Sequence, residues 1–287
     1  MQYLIFGCGD VGRRIAQQLI DSGISRQNIT GFVNTSVAQA QSLGIKVEQF
    51  DIDAPLSSLA TYQRACCFYT IAPQKHGLTD LRSRALIVAL EQQAINIKRA
   101  VLISTTGVYG DCDSEWVTED SPTKAQTERA QRRLDSEHQW QQWGTHQKVE
   151  TVILRVPGIY AQSRLPRSRI EKAIPVVAAH ECGYTNRIHA DDLAHVCIQA
   201  MREGRSGEIY NATDGTPGKI SEYLQAAAQV LGLPELPEIS LQEAQQVLSS
   251  GMLSYLGESR KISNKKMLSE LKVNLRYLDF REGLKHG

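Results

Sequence analysis

The stretch "YLIFGCGDVGRRIAQQLI" sets Gly7, Gly9 and Gly12 between an apolar run and an amphipathic one. Glycines at this spacing, after a strand and before a helix, suit the pyrophosphate of a dinucleotide. Gly7 permits the tight turn, Gly9 lets the backbone approach the phosphates, and Gly12 lets helix and strand pack closely while the helix N-terminus faces the anion. Cys8, Asp10 and Val11 share the loop and are expected at the cofactor with them. The competing reading is a tight strand-to-helix turn with no ligand. Binders of NAD usually carry Asp or Glu about 20 residues on, to take the ribose hydroxyls. Here the second strand ends "FVNTS", so Asn34, Thr35 and Ser36 are neutral and nothing repels a 2′-phosphate. Arg13 and Arg14 follow the last glycine within reach of one, which favours NADP over NAD; otherwise both are solvated helix residues.

The elements that must hold this loop alternate along the first half of the chain. "YLIF" reads as a buried strand, and residues 12–20 show helical spacing through Ile15, Ala16, Leu19 and Ile20. "ITGFVN", "IKVEQFDI", "ACCFYTIA", "RAVLIST" and "ETVILRV" read as further strands, with helices expected over 37–43, 78–95 and 126–143. "ACCFYTIA" is apolar throughout, as a strand covered on both faces should be. Such alternation predicts an α/β fold, a Rossmann-type doubly wound parallel sheet. After Pro157 the rhythm changes. "AQSRLPRSRIEKAIP" reads as a loop with a short helix, "DDLAHVCIQAM" and "ISEYLQAAAQVL" as helices, and "GEIYNAT" as a strand. The expected organisation is a dinucleotide-binding part over 1–156. Residues 157–287 would be mostly a smaller substrate-binding lobe, with some segments returning to the sheet.

Bulk properties exclude several classes. The chain has 287 residues, a net charge of +1 and no apolar run of membrane-spanning length, so neither nucleic acid nor a membrane is an expected partner. The apolar stretch begins almost at Met1 without a basic leader, which points to the cytoplasm. Cys8, Cys66, Cys67, Cys112, Cys182 and Cys197 form no C-x-x-C and read as reduced thiols. The seven histidines show no zinc spacing, so no metal is expected.

Several stretches, taken in order, resemble the extended short-chain dehydrogenase/reductase superfamily, of the nucleotide-sugar epimerase/dehydratase type: "GCGDVG", "FDIDAP", "STTGVYG", "WVTEDSP", "LRVPGIY", "NRIHADDLA" and "EIYNATDG". The resemblance implies that Asp51 and Ile52 meet the adenine and that Thr105 is the catalytic hydroxyl four residues before the Tyr of V-Y-G. It also implies that Pro157 lines the nicotinamide side. Ile71, Ala72 and Pro73, at the end of the fourth strand, are further expected cofactor contacts. "SRKISNKKML" resembles the basic element that meets a nucleotide-sugar diphosphate, through Arg260 and Lys261. Read by itself it is a helix cap at Ser263 followed by solvated lysines.

The family's Tyr-x-x-x-Lys is absent. Counting back eight residues from Glu137 puts Arg129 at the Tyr position and Arg133 at the Lys position, and no Tyr occurs from Asp111 to Val156. A guanidinium stays protonated, so Arg129 cannot act as general acid/base, but it can bind an anion in bidentate fashion. Arg133 is a candidate contact to the nicotinamide ribose. Tyr109, Tyr160 and His189 are the other candidate proton carriers, each with a structural reading beside it.

Two functions follow. One is an NAD(P)-dependent oxidoreductase or epimerase acting on a small polar substrate, anionic or a nucleotide sugar. In it Thr105 binds the reacting oxygen, Arg129 holds an anionic group, and water or a nearby Tyr moves the proton. The other is a non-catalytic dinucleotide-binding redox sensor or regulatory protein. A homodimer is among the expected assemblies.

Overall fold

The computed structural model describes residues 1–35, 37–54, 59, 62 and 64–286. Ser36, and Pro55 of "FDIDAP", therefore lie outside the described residues. The chain forms β1 (Gln2–Phe6), β2 (Ile29–Val33), β3 (Lys46–Gln49), β4 (Ala65–Tyr69) and β5 (Ile97–Thr105), joined by α1 (Asp10–Asp21), α2 (Val37–Gln41) and α3 (Leu81–Gln92). Then come β6 (Trp116–Val117), α4 (Glu128–Gln147), β7 (Glu150–Val156), β8 (Gly158–Tyr160), α5 (Arg167–Glu171), β9 (Val176–Val177), β10 (Arg187–His189), α6 (Ala190–Glu203), β11 (Ile209–Asn211) and α7 (Ile220–Val230). Short pieces complete the chain, among them β12 (Glu238–Ile239), a helix over Ser250–Leu256, and β13 (Lys261–Ile262).

Seven strands make one parallel sheet in the order β11-β7-β5-β4-β1-β2-β3. The order reverses between β1 and β4, which is where an open α/β sheet leaves a crevice at its strand ends. This is the doubly wound architecture expected from the alternation of elements. The strands read as continuous apolar runs because both faces are covered. Ile5, Phe68, Val101 and Ile103 pack beneath α1 and α6, while Leu4, Phe6, Tyr69 and Leu102 pack on the side of α3 and α4 with Trp140 and Trp143. Ile209–Asn211 returns from the second half of the chain to pair with β7.

Two helices start later than their apolar spacing suggests, and side chains explain why. The Asp80 carboxylate accepts the backbone N–H of Arg82 at 3.0 Å and of Ser83 at 3.1 Å, and Thr127 accepts that of Ala130 at 3.2 Å. These caps set the first turns of α3 and α4. At its other end α4 runs on to Gln147, and Lys148 closes it in the left-handed conformation at φ 57°.

Beneath the site-bearing edge lies a buried ionic network. Glu137 of α4 accepts from the Arg155 guanidinium at 2.8 and 3.1 Å and from the Ser104 hydroxyl at 2.5 Å. The guanidinium lies 4.7 Å from the centre of the Tyr109 ring, whose hydroxyl donates to Asn211 Oδ1 at 2.8 Å. Burial opposes the Arg155 charge, but the Glu137 carboxylate more than offsets it, and the guanidinium pKa is raised. Glu137 is 1% exposed, so breaking the pair strands a cation in the interior. Glu137→Ala is expected to cost roughly 3–5 kcal/mol in urea denaturation, and Glu137→Leu combined with Arg155→Met markedly less than that. A loss below about 1 kcal/mol for Glu137→Ala would show that water reaches the pair.

Candidate functional site

The glycine loop lies at the C-terminal end of β1. Gly7 has φ +92°, and a Cβ on it would come within 2.7 Å of Thr70 Oγ1 and 3.1 Å of the Ile71 backbone nitrogen. A Cβ on Gly12 would lie 2.8 Å from the Gly7 carbonyl oxygen. Both glycines are thus required by the fold itself. Gly9 differs, because its Cβ would meet nothing nearer than 3.9 Å. The protein leaves space there that its own packing does not need. Gly9 also precedes α1 without a capping side chain, so the first N–H groups of the helix are open to an anion.

Gly7, Cys8 and Gly9 border a cavity of about 220 Å³ whose far wall holds Asn34, Thr35 and Ile52. These residues fit the loop, ribose and adenine ends of a dinucleotide. The Cys8 thiol is buried and pushed up to about 11 by burial, and the Cys8 N–H is taken by the Phe32 carbonyl at 2.9 Å. Cys8 therefore shapes the wall and offers neither thiolate nor donor. Val11 is buried under the loop. Asp51 is exposed, outside the cavity lining, and accepts the Asp53 N–H at 3.0 Å.

The arginines after the loop separate. Arg14 is committed elsewhere, a correction to its expected place at a phosphate: it pairs with Asp191 and with Asp10 at 3.3 Å, and donates to Ser163 at 3.0 Å. Asp10 is buried enough to oppose its charge, but Arg164 and Arg14 outweigh this and hold its carboxyl below the usual range. Arg13 is half-buried on α1 and does not line the cavity. The cation that does line it beside Asn34 and Thr35 is Arg82, which pairs with Asp53 and donates to the Ala72 carbonyl at 2.9 Å. No local pattern marked Arg82, because α3 carries it in from the other side of the switch point.

A second pocket, of about 270 Å³, opens at the end of β5. It brings together Thr105, Arg129 and Pro157 with three residues that the sequence did not flag, Tyr184, Tyr255 and Glu258. The Thr105 oxygen accepts the Gly107 N–H at 3.1 Å, which orients the hydroxyl. Arg129, in the first turn of α4, is exposed, and no hydrogen bond or ion pair takes its guanidinium among the described residues. Tyr184 arrives on the loop before β10 and Tyr255 on the helix Ser250–Leu256. Neither segment has a periodicity that would single them out. Pairing of β13 with β6 and the hydrogen bond from the Arg260 N–H to the Tyr184 carbonyl at 3.2 Å close this wall.

Arg133 lines neither cavity. Its Nη1 donates to the carbonyls of Ile71 at 3.2 Å and Ile103 at 2.9 Å, joining the ends of β4 and β5, and burial lowers its pKa. Ile71 lines the first cavity; Ala72 meets Arg82, and neither Ala72 nor Pro73 lines either pocket. Tyr109, Tyr160 and His189 are each at most 1% exposed and line neither pocket. Among the described residues, no group of three or more His, Cys, Asp or Glu is placed to hold a metal, and no helix is long and apolar enough to cross a membrane.

Residues 80–213 match the family described as the NAD dependent epimerase/dehydratase family. The dTDP-D-glucose 4,6-dehydratase of Bos taurus is 26% identical over 145 residues, covering 48% of this chain and 40% of that protein. The human counterpart matches equally, so the chain spans about two fifths of the length of these curated relatives. A solved structure of a functionally unknown conserved protein from Silicibacter pomeroyi superposes with TM-score 0.82 at 26% identity, covering 99% of this chain and 96% of that one. The UDP-glucuronic acid 4-epimerase of Bacillus cereus, in complex with NAD, gives 0.75 at 16% identity over 99% and 94%. A dTDP-glucose 4,6-dehydratase double mutant from Streptomyces venezuelae, with NAD bound, gives 0.78 at 17% over 99% and 95%. At that identity the last two speak to the fold.

The three loop glycines should separate in a thermal melt. Gly9→Ala is expected to melt within about 2 °C of the parent, whereas Gly7→Ala and Gly12→Ala should each lose about 1–3 kcal/mol, several degrees. Equal losses at all three positions would mean that the space at Gly9 is not free.

Proposed function

We propose, for a chain whose residues 80–213 match the NAD dependent epimerase/dehydratase family and whose whole length has the extended short-chain dehydrogenase/reductase fold, that it binds a nicotinamide dinucleotide and uses it on a small polar substrate. The observation that carries this reading is the unneeded space at Gly9, set between an uncapped helix end and the cavity that leads to Asn34 and Ile52. Gly9 and the first turn of α1 would hold the pyrophosphate, and Ile52 the adenine. Arg133 and Pro157 would flank the nicotinamide, whose chemistry is to take up or give back a hydride. Asn34 and Thr35, neutral where binders of NAD usually carry an acid, support NADP over NAD, and Arg82 beside them would reach a 2′-phosphate by giving up its pair with Asp53. Residues 1–156 would form the cofactor part and 157–287 mostly the substrate part.

In the second pocket Thr105 would donate a hydrogen bond to the reacting oxygen. Arg129 would hold an anionic group and thereby fix the substrate's orientation. A guanidinium cannot exchange the proton, so that role falls to water or to a phenol of the pocket, Tyr184 or Tyr255. The rival reading, a non-catalytic redox sensor, is favoured by Arg129 standing where the resemblance places a Tyr. It gains if the cofactor binds tightly and no substrate class turns over. The six unpaired cysteines support a reducing, cytoplasmic setting, and a homodimer is the assembly to look for by light scattering.

Calorimetry with both cofactors tests the proposal. NADP should bind about tenfold more tightly than NAD, Arg82→Gln should remove most of that difference, and Gly9→Val should weaken both by roughly a hundredfold, about 2.7 kcal/mol. If Gly9→Val binds as the parent does, the loop is only a turn. If NAD binds more tightly, Arg82 is not a phosphate contact.

A further inference from the structure

We propose that the second pocket takes a small monoanion, a short-chain hydroxy or oxo carboxylate, and not a nucleotide diphosphate sugar. This rests on the cofactor reading above but is argued from charge. The ionised side chains lining the pocket are Arg129, Arg260 and Glu258. Arg260 is already engaged: its Nη1 pairs with Glu258 Oε2 at 2.7 Å and donates to the Gly110 carbonyl, and both side chains are about one-tenth exposed. That pair is neutral as a unit. Arg129 is left as the one uncommitted charge lining the pocket among the described residues, and the pocket carries a net charge of +1.

A diphosphate needs more. It brings at least two negative charges, and here it would meet Glu258 as well. Of the two residues expected from the basic C-terminal stretch, Arg260 lines the pocket but is paired with Glu258, and Lys261 adds no free cation. Lys261 Nζ lies over the rings of Trp116 at 5.9 Å and Tyr184 at 5.2 Å and does not line the pocket, and Lys266 pairs with Glu208 at 2.6 Å. A carboxylate matches what remains: one charge, planar, and suited to the fork of a single guanidinium. With the carboxylate on Arg129, the Thr105 hydroxyl and the phenols of Tyr184 and Tyr255 are left for an adjacent oxygen. The volume of about 270 Å³ lies at the small end of ligand pockets, which suits a few carbons better than a sugar joined to a nucleotide.

The test is calorimetric titration, on the protein alone and with its tighter-binding cofactor, using glycolate, lactate, glycerate and 3-hydroxybutyrate against UDP, dTDP and inorganic phosphate at fixed ionic strength. At least one monocarboxylate should bind tenfold more tightly than either nucleotide and than phosphate. Arg129→Gln, which disturbs no contact of the fold, should weaken that binding at least tenfold. Glu258→Gln, by freeing Arg260, should raise the affinity for UDP at least tenfold. The proposal is overturned if UDP, dTDP or phosphate binds best, if no monocarboxylate binds, or if Arg129→Gln changes nothing. Failure of the cofactor reading shows separately, as absence of NAD(P) binding in the same instrument.

Discussion

The Glu137–Arg155 pair fixes the register of α4, and the site depends on that register. Residues 129, 133 and 137 recur every four positions, so they lie along one face of the helix. Glu137 is held at the bottom of that face by Arg155 on β7 and Ser104 on β5. One turn up, Arg133 is forced against the open ends of β4 and β5, where it meets the carbonyls of Ile71 and Ile103. Another turn up, Arg129 clears the sheet and stands in the second pocket. Exposure rises along the same ladder, from buried to half-buried to exposed. A single buried anion thus decides that one guanidinium is tied to the strand ends and another free. The same carboxylate reaches Tyr109 and Asn211 through Arg155, so the turn that carries Thr105 into the pocket rests on it too.

What was legible in the sequence was what local physics decides. A glycine loop between a strand and a helix, and strands apolar on both faces, follow from backbone sterics and from the period of burial. The loop and the seven strands of the sheet were readable for that reason, whereas the pocket residues Thr105, Arg129 and Pro157 were reached through the family resemblance. Helix starts were misplaced by two or three residues because apolar spacing says nothing of caps such as Asp80 and Thr127. The remaining gaps are long-range. Arg14 looked free beside its glycine, but its partner Asp191 is 177 residues away. Tyr184 and Tyr255 enter the pocket on segments held by the pairing of β13 with β6, a contact with no signature in either strand of two residues. Arg260 is the instructive case. Its partner Glu258 stood two positions away, and the weight of a basic stretch hid a carboxylate that neutralises it.

The departure from the family pattern then has a chemical direction. Where the resemblance places a phenol on α4, near the strand ends, this chain has a cation that can bind but cannot trade protons. The hydroxyl of Thr105 is kept, and on the proposed reading it would donate to a reacting oxygen. A proton carrier, if it belongs to the protein, must come from the opposite wall, which the C-terminal half builds. Tyr184 is placed there between two ammonium groups, Lys219 at 3.6 Å and Lys261 at 5.2 Å from its ring centre, with Lys219 tied to the Cys182 carbonyl at 2.6 Å. In such an arrangement the anchor for the substrate and the group that moves its proton sit on different parts of the chain. In that proposal, substrate recognition through Arg129 would be rigid, because α4 is locked to the sheet. Proton transfer would depend instead on how well the β13–β6 closure holds the far wall. On the proposed reading, chemistry at this site would therefore require the two halves to be closed on each other.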